Sequence, residues 1–166
     1  MIERVRRDRV PYDAWCRDGL MTATSGNVID YGVIERDITA LGEQYDIREI
    51  AFDRWGAAQM SQNLTAAGFE MVQMGQGFAS MAAPTKELLR LVLGHAIGHG
   101  ANPVLRWMAD NLVVEQDAAG NVKPSKAKSR EKIDGMVAAI MALDRATRNA
   151  GAEAASVYEE RGVFTL

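Results

Sequence analysis

Apolar residues recur at helical spacing in two separated parts of the chain. One stripe consists of Ile34, Ile38, Leu41 and Tyr45, and the other of Ile133, Val137, Ile140 and Met141. Such spacing places the side chains on one face of an α-helix. Asp30 is a favoured N-cap residue before the first stripe, and Ser129 is one before the second. The pattern therefore predicts two amphipathic helices, one beginning after Asp30 and one after Ser129.

Segments of strand length lie between these helices. Residues 47–53 form an apolar segment, and residues 69–74 alternate weakly between apolar and polar positions. A helix over residues 60–67 separates them, and Gly68 suits its C-terminal end. The order helix–strand–helix–strand is typical of an α/β layer with parallel strands.

The second half of the chain predicts a further helix and a hairpin. A loop over residues 75–81 precedes Pro84, which suits the first position of a helix that Gly94 ends. Residues 112–123 predict a β-hairpin with its turn at Gly120.

Length and composition indicate one globular domain. The chain has 166 residues, of which 48% are hydrophobic and 25% are charged. This is enough for one core, and we predict a domain over residues 1–149 and a C-terminal tail over residues 150–166. The tail is rich in small and charged residues, and Val157, Tyr158 and Phe164 are its candidate docking residues.

Charge and cysteine content limit the expected cellular compartment and the possible modes of DNA binding. Cys16 is the only cysteine, so no internal disulfide forms and a reducing cytoplasm is the expected compartment. No apolar run approaches the roughly 20 residues that span a bilayer. The net charge of −3 does not favour nucleic-acid binding by the whole surface, so any DNA contact must come from local patches.

Two basic patches are present. The first, near the N-terminus, is interpreted as ordinary solvated surface. The second leads into the last predicted helix and consists of Lys123, Lys126, Lys128, Arg130 and Lys132. Phosphate contact and a solvated surface are both open interpretations of the second patch.

Asp53 and Asp134 are the sharpest candidates for a site. Asp53 ends an apolar strand, and ligands of open α/β sheets gather at the carboxyl ends of strands. An N-cap role is its alternative. Asp134 lies beside the apolar stripe of the last helix, and the adjacent Gly135 would leave room for a cation or phosphate. Its alternative is a surface acid that the helix dipole favours.

Other candidate residues carry weaker signals. His95 and His99 have helical spacing, but the surrounding glycines and the lack of a third ligand argue against zinc. Trp55, Trp107 and Phe78 could stack on bases, although aromatic residues more often belong to the core. The sequence contains no phosphate-binding loop of the kind that drives nucleotide-dependent motors.

Several segments together resemble the C-terminal nuclease domain of the large terminase subunits of tailed phages. They are RRDRVPYDAW ending at Trp15, TATSGNVID at 22–30, IREIAFDRWG at 47–56, QG at 76–77, PTKE at 84–87, HGANPVLRWM at 99–108, GNVKP at 120–124, KIDG at 132–135 and SVYEERG at 156–162. They follow the family's order over nearly the whole chain.

The resemblance implies an RNase H-like α/β fold, a mixed sheet flanked by helices, and an endonuclease that cuts concatemeric viral DNA during genome packaging. In the family pattern one catalytic aspartate lies on the first core strand, a second ends a later strand and a third lies on the closing helix. Asp53 matches the second and Asp134 the third. They would be catalytic residues and metal ligands in a two-metal site holding Mg²⁺ or Mn²⁺.

The resemblance also implies partners: double-stranded DNA, the small terminase subunit and the portal, with no membrane, in the cytoplasm of the host. The phosphate contacts expected from position are Lys86, Lys123, Lys126, Lys128 and Arg130.

The sequence departs from the family pattern at its start. It begins after the point where the family places the packaging ATPase, the first core strands and the first aspartate, so we expect an N-terminally truncated nuclease fold. One alternative is a catalytically incomplete remnant that binds DNA or another protein. A second is a nucleotide-binding α/β protein without nuclease activity.

Overall fold

The computed structural model describes residues 2–26 and 28–160, with side chains described as far as residue 150. The elements in chain order are α1 (Ile2–Asp8), α2 (Tyr12–Arg17), α3 (Tyr31–Gln44), β1 (Ile50–Phe52), α4 (Ala58–Ala66), β2 (Met71–Gln73), α5 (Phe78–Leu93), α6 (Pro103–Asn111), β3 (Val114–Gln116), β4 (Val122–Pro124) and α7 (Asp134–Glu160). No helix in this part of the chain is long and apolar enough to cross a membrane.

Two strand pairs confirm the predicted pairing. β1 and β2 are parallel, with Ile50 opposite Met71, and α4 connects them. β3 and β4 are antiparallel, with Val114 opposite Pro124. Parallel and antiparallel pairs therefore both occur, but as two separate two-stranded sheets within the described residues.

The hairpin turn shows why its sequence folds this way. The Asp117 carboxylate accepts hydrogen bonds from the backbone N–H groups of Ala119 at 2.9 Å and Asn121 at 2.8 Å. Gly120 has a φ of +79°, a left-handed conformation that glycine adopts without steric cost. The turn therefore reverses the chain where the sequence predicted it.

The main core lies between α5, α7 and the end of β2. Its buried residues are Met74, Met81, Leu88, Ile133, Val137, Ile140 and Met141. The predicted apolar stripe of the last helix is thus confirmed, since Ile140 has no exposed surface and Ile133 has 1%. Ala51 of β1 packs against this cluster, so burial of the stripe also sets the position of α7 relative to β1.

A smaller aromatic cluster attaches the N-terminal helices to α6. The rings of Tyr12, Trp15 and Trp107 lie with their centroids 5.6–6.3 Å apart. From α6, the Met108 sulfur accepts a hydrogen bond from the backbone N–H of Gly135 at 3.1 Å. The chain's first helices are therefore linked through α6 to the first turn of α7.

The N-terminal cap of α3 is confirmed. The Asp30 carboxylate accepts hydrogen bonds from the backbone N–H groups of Gly32 at 2.9 Å and Val33 at 3.3 Å. The stripe on this helix is only partly covered, since Tyr45 is 64% and Leu41 46% exposed.

The predicted starts of two helices are wrong. α5 begins at Phe78, so Pro84 lies inside the helix, where the burial of its face with Met81 and Leu88 offsets the hydrogen bond that proline cannot donate. Ser129 is not an N-cap: its hydroxyl donates to the Ser125 carbonyl oxygen at 2.7 Å and accepts from the Val113 N–H at 3.1 Å. The last helix instead begins at Asp134.

The helix α7 continues beyond residue 150, where the sequence predicted a tail, as far as Glu160. The side chains of Val157 and Tyr158, and all of Phe164, lie outside the described part of the chain.

Candidate metal and nucleic-acid site

One cleft of about 690 Å³ brings the two candidate aspartates together. It runs between β1 and α7, with Asp53 following the carboxyl end of β1 and Asp134 at the first position of α7. Lys126 and Gln76 line it as well. The fold therefore places on one cleft two acids that are 134 − 53 = 81 positions apart in the sequence.

Asp53 stabilises the turn that follows β1. Its Oδ1 accepts a hydrogen bond from the backbone N–H of Trp55 at 3.3 Å. The N-cap position of α4 is Ala57, which makes no side-chain capping bond. The N-cap interpretation of Asp53 is therefore wrong, and its half-buried carboxylate faces the cleft.

Asp134 lies at the N-terminus of a long helix, where the helix dipole favours a negative charge. The Lys126 ammonium contacts its Oδ1 at 2.7 Å, and 60% of the Asp134 side chain is exposed. This exposure agrees with the alternative interpretation of Asp134 as a surface acid near a helix N-terminus. The expected gap at Gly135 is wrong, because a Cβ added there would lie 2.7 Å from the Met108 sulfur, which occupies that space.

The donor chemistry of the cleft suits a hard divalent cation, since Mg²⁺ and Mn²⁺ prefer carboxylate and amide oxygens. Asp53, Asp134 and the Gln76 amide supply such oxygens. Across residues 2–26 and 28–160, however, no group of three or more His, Cys, Asp or Glu side chains is arranged to hold a metal. The family pattern implies three aspartates, and Asp53 and Asp134 stay candidates for two of them.

A second depression of about 630 Å³ adjoins the cleft at Asp53. Arg54, Trp55, Gln73 and the segment 75–77 line it. Trp55 is 78% exposed, and the guanidinium carbon of Arg54 lies 5.0 Å from its ring centroid. An exposed aromatic ring therefore stands two residues from a candidate metal ligand.

The other two aromatic candidates have structural surroundings. Trp107 belongs to the aromatic cluster with Tyr12 and Trp15. Phe78 is half-buried, with the Lys123 ammonium 5.2 Å from its ring centroid. Among the three, Trp55 alone has its ring largely open to solvent.

The five basic candidates occupy different positions. Lys126 lines the cleft, whereas Lys123 contacts Glu115 at 2.6 Å and Lys128 contacts it at 3.7 Å. The hydrogen bond from Lys123, and to a smaller extent the one from Ser125, lowers the pKa of the Glu115 carboxyl. Lys86 and Arg130 are exposed and do not line the cleft.

The far end of the cleft holds an ion-pair cluster that the sequence analysis missed. The Arg145 guanidinium donates two hydrogen bonds to Glu49, at 2.5 and 3.1 Å, and so joins α7 to the segment before β1. Asp144, only 7% exposed, accepts a hydrogen bond from Arg148 at 2.8 Å. The sequence contained one signal for this contact: Glu49 is a charged residue within the apolar segment 47–53. A half-buried carboxylate there requires a partner.

The Glu49 carboxyl gives the cleft a pH-dependent contact. Its hydrogen bond from Arg145 lowers its pKa below the ordinary value of 4.5, against the opposing effect of burial. Because the pKa of Glu49 is lower in the folded than in the unfolded state, its contact stabilises the fold at a pH above the unfolded-state pKa. This contribution is lost as the pH falls through the folded-state pKa. We expect Glu49→Gln to lower the melting temperature at pH 7 and the difference from wild type to narrow below about pH 4.5.

Thermal unfolding monitored by circular dichroism between pH 7 and pH 3 measures this difference. Glu43→Gln, which changes an exposed carboxylate on α3, is the matched control and should leave the melting temperature unchanged. A Glu49→Gln difference that is constant over this range would contradict the prediction.

Comparison with known proteins decides the family. Residues 1–150 match the model of the terminase large subunit endonuclease domain. The chain belongs to this family. The resemblance drawn from the sequence motifs is thereby confirmed.

Two curated proteins are similar to the chain over most of its length. The chain is 40% identical over 164 residues to the terminase large subunit of Enterobacteria phage HK97, a match that covers 98% of the chain and 31% of that protein. It is 33% identical over 144 residues to protein YmfN of Escherichia coli K12, covering 85% of the chain and again 31% of the relative. The chain spans about a third of the length of the curated relatives that it matches.

A solved terminase structure confirms the fold class. The crystal structure of the HK97 bacteriophage large terminase superposes with a TM-score of 0.80 at 41% identity, covering 86% of this chain and 30% of the other. The chain therefore has the α/β fold of that RNase H-like nuclease domain.

Proposed function

We propose that this chain is the divalent-metal-dependent endonuclease part of a terminase large subunit, which cuts concatemeric viral DNA during genome packaging. The single observation that carries the proposal is the position of Asp53 and Asp134 on one cleft, at the end of β1 and the start of α7. The family match supports a nuclease, and the two carboxylates are the reason for proposing metal dependence.

Asp53 and Asp134 would hold Mg²⁺ or Mn²⁺. When bound, a metal pair supplies a nucleophilic water and stabilises the leaving oxygen of the phosphodiester. A two-metal site requires a further carboxylate, which we place in the part of the relatives' length that this chain does not span. Asp53 is held in orientation by the Trp55 N–H, and Asp134 is fixed by the first turn of a long, well-packed helix.

Lys126 has a double role in this proposal. Its ammonium lies 2.7 Å from Asp134 and neutralises that carboxylate in the absence of a cation. If Asp134 bound a metal, the Lys126 ammonium would be able to contact a DNA phosphate beside the site. Lys126 is therefore the first of the five basic candidates, and Lys86, Lys123, Lys128 and Arg130 would extend the phosphate contacts beyond the cleft.

The proposed partners follow from the family. Double-stranded DNA is the substrate, and the small terminase subunit and the portal are the protein partners, in the cytoplasm of the infected host. These assignments concern the whole large subunit, of which this chain corresponds to about a third.

Plasmid cleavage tests the proposal. The test protein, the hybrid, is the HK97 large subunit with its matching C-terminal part replaced by this chain. We expect the hybrid to nick and linearise supercoiled plasmid with Mn²⁺, and EDTA to abolish cutting. The 166-residue chain alone should cut at least tenfold more slowly, because a metal site lacking one carboxylate binds its ions weakly.

Two results would decide against the nuclease. A folded hybrid that packages DNA but cuts none with Mn²⁺ would contradict the proposal. The catalytically incomplete remnant is the alternative, and it is favoured because no group of three or more candidate metal-ligating side chains occurs among the described residues. Absence of Mn²⁺ binding by the hybrid in calorimetry would support that alternative.

A further inference from the structure

We propose that Arg54 and Trp55 form a platform that binds an unstacked nucleobase of the DNA strand beside Asp53. The inference rests on the proposed function, from which it takes DNA as the ligand. What it adds is the form of the DNA: a strand with a base that has left the duplex stack.

The exposure of Trp55 is the first observation. Its side chain is 78% exposed, whereas Trp15 is 8% exposed and Trp107 packs against it in the aromatic cluster. Tryptophan has a large apolar surface whose exposure to water is unfavourable. Trp55 therefore presents an apolar surface at the edge of the cleft that a bound partner would cover, whereas the aromatic cluster covers Trp15 and part of Trp107.

The backbone of Trp55 is anchored beside Asp53. The Trp55 N–H donates to Asp53 Oδ1 at 3.3 Å, and Gly56 adopts a φ of +74° that lets the chain turn towards α4. The Trp55 backbone is thereby tied to the carboxylate of a proposed metal ligand. A base on the ring would belong to a nucleotide next to the phosphate at Asp53.

The chemistry around the ring matches a nucleotide. The Arg54 guanidinium carbon lies 5.0 Å from the ring centroid, a cation–π arrangement that adds a positive charge to the stacking surface. The adjoining depression of about 630 Å³ is lined by Gly75 and Gly77, which contribute no bulky side chains, and by Gln73 and Gln76. Their amides provide the donors and acceptors that base edges require.

A paired base in B-form DNA has both faces covered by its neighbours, so a tryptophan face can take only a base that has left the stack. The platform therefore predicts that the cleft prefers single-stranded or locally unpaired DNA to a relaxed duplex.

Binding of oligonucleotides in EDTA tests the platform on the 166-residue chain. The probes are a single-stranded 12-mer, a 12-mer of equal charge made of abasic sites, and a blunt duplex of the same length. We expect the 12-mer with bases to bind most tightly and to quench tryptophan fluorescence. Trp55→Ala should weaken its binding about tenfold, while binding of the abasic 12-mer stays within twofold of wild type.

Two further variants separate stacking from general damage. Trp55→Phe retains an aromatic face and should recover most of the affinity. Tyr45→Ala removes another exposed aromatic ring, 64% exposed at the end of α3, and should leave binding unchanged. Equal binding of the two single-stranded probes by wild type, or wild-type affinity in Trp55→Ala, would overturn the platform.

The outcome is independent of the nuclease test, because no metal is present and nothing is cut. Failure of the hybrid to cut plasmid would overturn the proposed function alone. Normal cutting by the hybrid together with base-independent binding of oligonucleotides would overturn the platform alone.

Discussion

Replacement of either Asp53 or Asp134 by asparagine is expected to lower Mn²⁺-dependent plasmid cleavage by the hybrid at least about a hundredfold. Asparagine keeps the size of the side chain but removes the negative charge that a divalent cation requires. Charge stabilisation by a catalytic metal contributes several kcal/mol to lowering the barrier, and each roughly 1.4 kcal/mol is a factor of ten in rate. Initial rates of linearisation, measured over a range of Mn²⁺ concentrations, give the effect.

Asp37→Asn is the matched control for this pair. Asp37 is an exposed acid on α3 that does not line the cleft, so its substitution should leave the rate unchanged. Calorimetry on the same hybrids should show weaker Mn²⁺ binding for both cleft variants. Full cutting activity in Asp53→Asn or Asp134→Asn would rule out that residue as a metal ligand.

The second large effect concerns the fold. Ile140 on α7 has no exposed surface and lies in the main core with Val137 and Met141. Truncation of a fully buried isoleucine removes buried apolar surface and leaves a cavity, so Ile140→Ala should lower the free energy of unfolding by about 2–5 kcal/mol. Urea denaturation followed by circular dichroism measures this change.

The control makes the same substitution at an exposed site. Ile29, before α3, is 64% exposed, and Ile29→Ala should change the free energy of unfolding by less than about 0.5 kcal/mol. If Ile140→Ala cost no more than Ile29→Ala, α7 would not hold the core as described.

The parts of the fold that sequence patterns predicted are those with local causes. The cap at Asp30, the turn at Gly120 and the buried stripe of α7 depend on residues close to one another in the chain. The parallel pairing of β1 and β2 followed from the order of elements, because a helix between adjacent strands returns the chain in the same direction.

The failures have non-local causes. A proline within a helix normally marks its first turn, but the burial of Pro84 in the core permits an internal position. The lack of a side chain at Gly135 predicted an opening for a ligand, but Met108 on α6, 27 positions earlier, contacts Gly135 and fills that space. Neither contact has a signature in the adjacent sequence.

The candidate site divides in the same way. Spacing alone left Asp53 and Asp134 with structural alternatives, and the family motifs were needed to pair them across 134 − 53 = 81 positions. The exposure of Trp55 and the contact of Glu49 with Arg145, 96 positions apart, depend on tertiary packing. Both therefore emerged only from the structure.

The bond between Glu49 and Arg145 also has a mechanical consequence. Arg145 lies 145 − 134 = 11 residues after Asp134 on the same helix, so the two are about 16 Å apart along its axis. α7 therefore connects the Glu49 contact rigidly to the Asp134 carboxylate, and the core packing of its first turns opposes a tilt of the helix. A tilt of about 5° at the Glu49 contact would move Asp134 by about 1.4 Å, enough to disturb a metal site whose ligands must be placed within about 0.5 Å.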